Sequence, residues 1–552
     1  GEVFITYNTW GERITIKKAR TFKLDGTEVE ATSIKDIFPL EGYRLYSHVS
    51  QKVISMPALE EGVIIEYQYT LDDYSRGFIG KNFQDTFYLQ DFEPIQSCRY
   101  VLTIPEGVEI KIVNFKTDIK PEIKKDESKM LYTWEAFNIS QIIYESDMPP
   151  FHNIAPRITV SSFSSWEEIA SWYYDISREQ SKADPDIKAK VAELIQNETT
   201  LEGKIRALYH YVITEIRYLG LEFGISGHMP HEASEIYKYK YGDCKDKATL
   251  LIAMLKEAGI EAYYVLLRTR YSGEIDLDLP SFQFDHAIAA VPLNGELMFL
   301  DGTAENYCYG ELPAMDQDVW AMVLVDGEGK FMKVPMQSAE RNQRVREIKL
   351  DLKEDGSASG EITVLQSGIF AAYYRSIFKD LGETKRKELI QNSLSSSCPG
   401  SVLEEFSFSD LADLNIPVEQ RYKFRVPSYA RKVGEKLHLK PSIIERVEST
   451  SIVAKEERRF PMYFYGQYCT HNIVEITIPE GYKVERIPDD IDLVLPFVSY
   501  RVKYSVEKDI IKYERYYKFN TFEISKEEYS SFKEFVERIA QEDAQEIILI
   551  QK

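Results

Sequence analysis

The chain has 552 residues, too many for one hydrophobic core, and length alone suggests about three domains. Apolar residues make up 44% and charged residues 28%, the balance of a soluble globular protein and too apolar for a disordered one. A net charge of −22 argues against a nucleic-acid sleeve or an anionic-membrane binder, since both need fields of Lys and Arg.

Residues 1 to about 150 read as strands and turns, with no long amphipathic helix. Ile14 and Ile16 alternate with polar neighbours, Asp25-Gly26 is a hairpin turn signal, and Val63, Ile65, Tyr67 and Tyr69 alternate after Gly62. A β-sandwich is the expected packing. Met148-Pro149-Pro150 through Pro156 reads as a linker. The texture then turns helical. Ser165 and Glu168 make a capping box before Ile169 and Trp172. Leu201, Ile205, Leu208, Val212 and Ile216 mark a second helix by their spacing, and a third runs from near Asp243 to Gly259. Its run Leu250 to Leu255 is far short of a membrane span of about 20 residues.

Three short apolar runs follow, Ala262 to Leu267, Ala287 to Val291 and Leu297 to Leu300, so helices precede strands as in an α+β domain with a largely antiparallel sheet. After about Pro335 strand texture returns. Ile348, Leu350 and Leu352 alternate before Asp355-Gly356, and Val474, Ile476 and Ile478 before Pro479-Glu480-Gly481. Ser393 to Ser401 reads as a Ser-rich loop. Near the end Ser525 and Glu528 cap a helix whose buried stripe is Tyr529, Phe532, Val536 and Ile539. The expected division is a β-sandwich over 1–157, an α+β core over 158–335 and a β-rich domain with a terminal helix over 336–552.

Five cysteines, Cys98, Cys244, Cys308, Cys398 and Cys469, are too few and too scattered for a disulfide framework or a CxxC zinc site. The informative one is Cys244, in Lys240-Tyr241-Gly242-Asp243-Cys244-Lys245-Asp246-Lys247-Ala248. A cysteine in the first turn of a helix faces free backbone N–H groups and the positive end of the dipole, which favour thiolate and could receive an oxyanion. Lys245 and Lys247 add positive charge, and Asp243 and Asp246 subtract it. The plain alternative is a small buried residue near a helix cap.

His286 stands at the mouth of the second apolar strand and Asp301 at the end of the third. A hairpin joining those strands brings the two together, and the carboxylate then fixes the imidazole tautomer and stabilises its cation. Taken singly, His286 could be an interior histidine and Asp301 a turn residue before Gly302. Three such residues in order favour a Cys–His–Asp triad. His228-Met229-Pro230-His231 lacks the further ligands a zinc site wants and reads as a cleft loop, with His231 a wall candidate. No metal and no cofactor is expected.

Gly242-Asp243-Cys244-Lys245-Asp246-Lys247-Ala248, then Leu250-Leu251, Leu255 and Ala258-Gly259-Ile260, resembles the nucleophile helix of the bacterial transglutaminase-like superfamily. Asp285-His286-Ala287 and Leu300-Asp301-Gly302-Thr303 resemble its histidine and aspartate strands. The resemblance covers about residues 160 to 330 and implies a papain-like catalytic core. More loosely, Met56 to Tyr67 and the stretch from Arg341 onward resemble β-rich domains of unknown function that flank this core in Bacteroidetes-type envelope proteins.

The resemblance implies thiol-mediated acyl transfer by Cys244, His286 and Asp301. It also makes Tyr218 an oxyanion-donor candidate, with Asp243 and His231 as further candidates for the oxyanion site or cleft wall. Two positions depart from the family: Ile288 replaces an aromatic residue after His-Ala, and Gly302 replaces a proline after the aspartate, so altered substrate walls are expected.

The leading expectation is a thiol-dependent amide or peptide hydrolase, with a peptide or protein amide as partner and neither nucleic-acid binding nor membrane insertion. The alternatives are a transglutaminase-type transamidase and a non-catalytic envelope module that binds peptide or glycan. Cys308 could be a redox partner of Cys244, though a loop thiol is favoured. Because the chain opens on Gly1, a trimmed leader and a periplasmic or envelope location are expected.

Overall fold

The computed structural model describes residues 1–9, 11–38, 49–74, 82–220, 227–444, 446–447 and 450–552. The N-terminal region packs small sheets in pairs rather than in one large sandwich. Glu2–Asn8, Val49–Ser55 and Ser33–Ile37 form one three-stranded sheet, and Glu28–Glu30, Glu12–Phe22 and Ile64–Asp73 another. Ile5, Ile54 and Met56 meet Ile14 and Ala19 between them. The aromatic run predicted after Gly62 does form a strand, but Ile64, Tyr67 and Tyr69 stay exposed.

A second pair follows, with Trp134 and Ala136 packed on Ile158 and Val160. Here the structure corrects the linker reading of Met148 to Pro156. Phe151–Ile154 is a helical turn, and Arg157–Ser161 returns as the middle strand between Gln84–Tyr88 and Lys111–Phe115. The run Arg-Ile-Thr-Val-Ser supplies the β-branched residues, and the Arg157 guanidinium stacks 4.0 Å over Phe115.

The central domain is helices first, then sheet. Pro185–Ile195, Leu201–Glu215 and Ala233–Tyr239 pack around the helix Cys244–Glu257, which is buried from Cys244 to Leu255, and Trp166–Ser177 packs on the sheet beside it. A helix buried on every side lies at the centre of its domain, and the charged residues of its first turn must therefore find partners. It packs on an antiparallel five-stranded sheet in the order Glu296–Leu300, His286–Leu293, Tyr263–Leu267, Trp320–Val325, Glu328–Lys333. Tyr264, Leu266, Ala287 and Ala289 face the helices, while Val265, Leu267, Ile288 and Ala290 face a second cluster on the far side. Both faces are covered, which is why these strands read as continuous apolar runs.

After Pro335 the chain forms an eight-stranded sheet with Gln343–Leu352 and Tyr468–Thr477 side by side and parallel at its centre. The Ser-rich stretch is not a loop up to Ser397. It ends the helix Glu383–Ser397, because Ile390 and Leu394 bury on the core, and only residues 398–401 turn away. The helix Tyr529–Asp543 buries the expected stripe and is followed by one more strand, Ile547–Gln551, between Lys436–Leu439 and Tyr482–Arg486. No described helix is long and apolar enough to cross a membrane.

The central helix should be the domain's most sensitive element. Leu251 has no exposed surface, so Leu251→Ala is expected to cost about 2–5 kcal/mol and to lower the melting temperature of the central domain measurably in calorimetry.

Candidate active site

The helix that carries Cys244 is positioned by its own first turn. The Asp243 carboxylate accepts from the Asp246 amide at 3.1 Å, and the Asp246 carboxylate accepts from the Asp243 amide at 3.2 Å, a reciprocal capping box. The Asp246 carboxylate also accepts from the His231 amide at 2.8 Å and lies 3.1 Å from His231 Nδ1. That hydrogen bond raises the His231 imidazole against the pull of burial. Gly242 is required by this packing, since a Cβ there would stand 2.5 Å from Asp246 Cβ.

The lysines of the motif do not face the thiol as free charges. Lys245 pairs with Asp243, and both are buried. Lys247, with no exposed surface, donates to the Ile216 carbonyl at 2.5 Å and to Glu305 Oε1 at 3.1 Å. Glu305 Oε1 accepts in turn from the Tyr218 amide at 3.1 Å. Tyr218 sits in a two-residue strand paired parallel with Tyr241–Gly242, opposite Gly242, and its side chain is 46% exposed. The upstream tyrosine is thus tied to the cysteine helix through backbone and through the half-buried Lys247–Glu305 ion pair.

His286 and Asp301 converge by the hairpin. Ala289 pairs with Leu300, and the turn at Asn294-Gly295 takes positive φ at both residues, as a tight hairpin with right-handed twist prefers. His286 Nε2 then lies 3.4 Å from Asp301 Oδ1, with both side chains buried. Asp301 is held from three sides. Its carboxylate accepts from the Thr303 amide and hydroxyl at 2.8 Å, and its carbonyl accepts from Tyr209 Oη at 3.0 Å.

Burial pulls the His286 imidazole down, but the Asp301 carboxylate above all, with the Cys244 thiol adding to it, carries it well above its ordinary value. Burial pushes Asp301 up, while His286 and Thr303 outweigh it and hold the carboxyl below its ordinary range.

The structure therefore brings Cys244, His286 and Asp301 together, with Tyr218 and His231 beside the same helix end. Asp243 has no exposed surface and serves as the helix cap, so it lines no cleft, and its carboxylate offers an oxyanion no donor. Ile288 lies in the far-side cluster of the sheet, away from the Cys244 helix, so its replacement of an aromatic residue changes no cleft wall. Gly302 has a packing reason, because a Cβ there would stand 3.0 Å from Lys247 Cβ and 3.4 Å from its backbone.

His228 packs edge-on against Phe282 and Trp172 while His231 binds Asp246, so the two do not act as a metal pair. The five cysteines are free, and Cys308 Sγ lies 3.7 Å from the Arg375 guanidinium. Among the described residues, the group whose ligand atoms approach closely enough for a metal is His286, Asp301 and Asp316, all within 4.8 Å. All three are buried; Asp301 accepts from Thr303, whereas His286 Nε2 and both Asp316 carboxylate oxygens have no hydrogen-bond partner.

Two contributors were not legible in the sequence. Buried Arg375, from the helix Ile369–Phe378, donates to the carbonyls of Asn306, Asp413 and Ile416 and so pins the loop after Asp301 to the following β-rich region. Asp316 ends the 3-10 turn Ala314–Asp316, with its Oδ1 3.8 Å from His286 Nε2. Neither lies in a motif or at a periodic position. A cavity of about 710 Å³ opens beside the same loop, walled by Thr303, Glu305, Tyr307, Ala314, Phe370 and Tyr373.

Residues 188–334 match the model of the transglutaminase-like superfamily. The central domain is transglutaminase-like. The flanks of this transglutaminase-like core match two domains of unknown function with solved structures, DUF3857 over residues 1–143 and DUF3858 over 435–549. A crystal structure from Parabacteroides distasonis, of "a putative protease", aligns over 100% of this chain and 92% of its own at 14% identity and a TM-score of 0.70. At that identity the likeness speaks for the fold, including the order of core and flanks. A second structure, "a putative cysteine protease" from Cytophaga hutchinsonii, aligns over 40% of this chain and 78% of its own at 12% identity, with a TM-score of only 0.20. No curated protein matches the chain.

The buried pair of the transglutaminase-like core gives a pH signature with a fixed sign. An imidazole held above 6.5 contributes stability that is complete below 6.5 and lost as pH rises through its raised value. A carboxyl held below 3.8 contributes above 3.8 and loses that contribution as pH falls through its lowered value. The penalty of His286→Ala, roughly 3–5 kcal/mol for a broken buried pair, is therefore expected to peak between those values and to shrink on the alkaline side. Thermal unfolding of both proteins at about pH 5.5 and about pH 9 measures it.

Proposed function

We propose that the chain is a thiol-dependent amide hydrolase acting on peptide or protein substrates. The observation that carries this reading is the buried His286, 3.4 Å from the Asp301 carboxylate and on the strand against which the helix opening at Cys244 packs. As a thiolate, Cys244 adds to the amide carbonyl and forms the C–S bond. The His286 imidazolium gives its proton to the leaving amine as the C–N bond breaks. Water then loses a proton to His286, adds to the thioester and releases the acid.

The oxyanion donors in this reading are backbone amides of the helix's first turn. The Asp246 and Lys247 amides are taken by Asp243, leaving those of Cys244 and Lys245 as the unused first-turn donors. Water is the default acceptor because it is abundant. A transamidase is distinguished by incorporation of an added primary amine into product.

The test is turnover of a peptide-amide library, with acid quenching and mass spectrometry to find an acyl group on Cys244. Cys244→Ala should abolish the adduct, and His286→Ala should lower kcat/KM by roughly a millionfold. Asp301→Asn should cost less, roughly ten-thousand-fold, because it leaves the proton carrier in place. Absence of any adduct, together with iodoacetamide reactivity at Cys244 no greater than at Cys98, would turn the reading toward a binding module.

A further inference from the structure

Asp316 is fully buried, and neither of its carboxylate oxygens accepts a hydrogen bond, whereas Asp301 accepts from both the amide and the hydroxyl of Thr303. Its Oδ1 is 3.8 Å from the same His286 Nε2 that Asp301 faces at 3.4 Å, and one oxygen of each carboxyl lies within 4.8 Å of the other. The titratable groups facing Asp316 from the packed elements are Asp301, Asp285, His286, Tyr209, Tyr271 and Tyr307. Of these only His286 can carry positive charge. Two anions and one imidazolium in a space closed to water would leave a negative charge uncompensated, which costs far more than keeping a proton.

We propose that Asp316 is a positioning residue: a neutral carboxylic acid whose proton points at Asp301, so that the two carboxyls carry a single negative charge opposite His286. The inference rests on the thiol acyl-transfer reading of Cys244, His286 and Asp301. It deepens that reading by fixing the charge of the site. Were both carboxyls ionised, the imidazolium would be held too firmly to yield its proton to a leaving amine. Burial first and the Asp301 charge second push the Asp316 carboxyl well above the ordinary carboxylate range, in keeping with a retained proton.

The stability consequence has a definite sign. A carboxyl whose folded value lies above its ordinary 3.8 contributes fully below 3.8, and that contribution is lost as pH rises toward the folded value. Asparagine has the same shape, a donor toward Asp301 and no proton to lose. Asp316→Asn in the full chain should therefore melt as the wild type does near about pH 4, and higher by about 2–4 °C near about pH 8. It should also leave the pH profile of Cys244 alkylation by iodoacetamide in place, whereas Asp316→Leu should slow that alkylation severalfold.

A melting temperature of Asp316→Asn that drops at the higher pH, with an alkylation profile moved to lower pH by about one unit, would show that Asp316 is an anion and overturn the proposal. Unchanged alkylation in Asp316→Leu would remove the positioning role, and stoichiometric metal in the purified chain, read by elemental analysis, would make the pair a ligand set instead. The melting comparison reads the Asp316 proton whether or not the chain turns over substrate. Failure of Cys244 to form an acyl adduct therefore sinks the enzyme reading separately.

Discussion

The arrangement depends on one buried charge pair, the His286 imidazolium against the Asp301 carboxylate. Removing two ions from water costs several kcal/mol each unless their remaining hydrogen-bonding capacity is met, and the surroundings meet it on the carboxylate side. Thr303 covers the carboxylate, Tyr209 holds its backbone, and a hairpin brings the imidazole alongside. In the function proposed above, the same pair also holds the imidazole that serves the thiol.

The helix that presents Cys244 answers to that pair through polar ties. Lys247 reaches Glu305, four residues past Asp301, and Tyr264 reaches from the sheet to the Lys245 carbonyl and to Thr249 Oγ1. Helix, aspartate loop and the strand beside His286 are thus fixed to one another, and the two Tyr264 contacts are buried and costly to leave half made. The flanking region takes part as well. Arg375 holds the loop that follows Asp301, so the core's catalytic candidates are braced by residues outside the family-matched segment.

The legible part of the molecule was what local chemistry fixes. The helix start at Asp243 and Cys244 shows because a cap, a glycine and an apolar run coincide, and the strands show because apolar residues fill both faces of a covered sheet. His286 and Asp301 could be paired on paper because a hairpin makes their meeting nearly obligatory. Asp316 could not, since its approach depends on how a 3-10 turn folds over the sheet end, a tertiary fact without a sequence period. Arg157 and the strand it begins were hidden for the same reason, the prolines before it marking a break that the chain then bridges. Ile288 and Gly302 looked like changes in the substrate wall; packing on the far face and a close approach to Lys247 explain them.

The most direct test of the account is the titration of His286 itself, followed by NMR in protein with labelled histidine and assigned by the loss of its signal in His286→Ala. The account predicts that His286 is an imidazolium at neutral pH and titrates well above 6.5, and that Asp301→Asn brings that titration down. A His286 that is neutral at pH 7, titrating at or below its ordinary value of 6.5 and indifferent to Asp301→Asn, would contradict it.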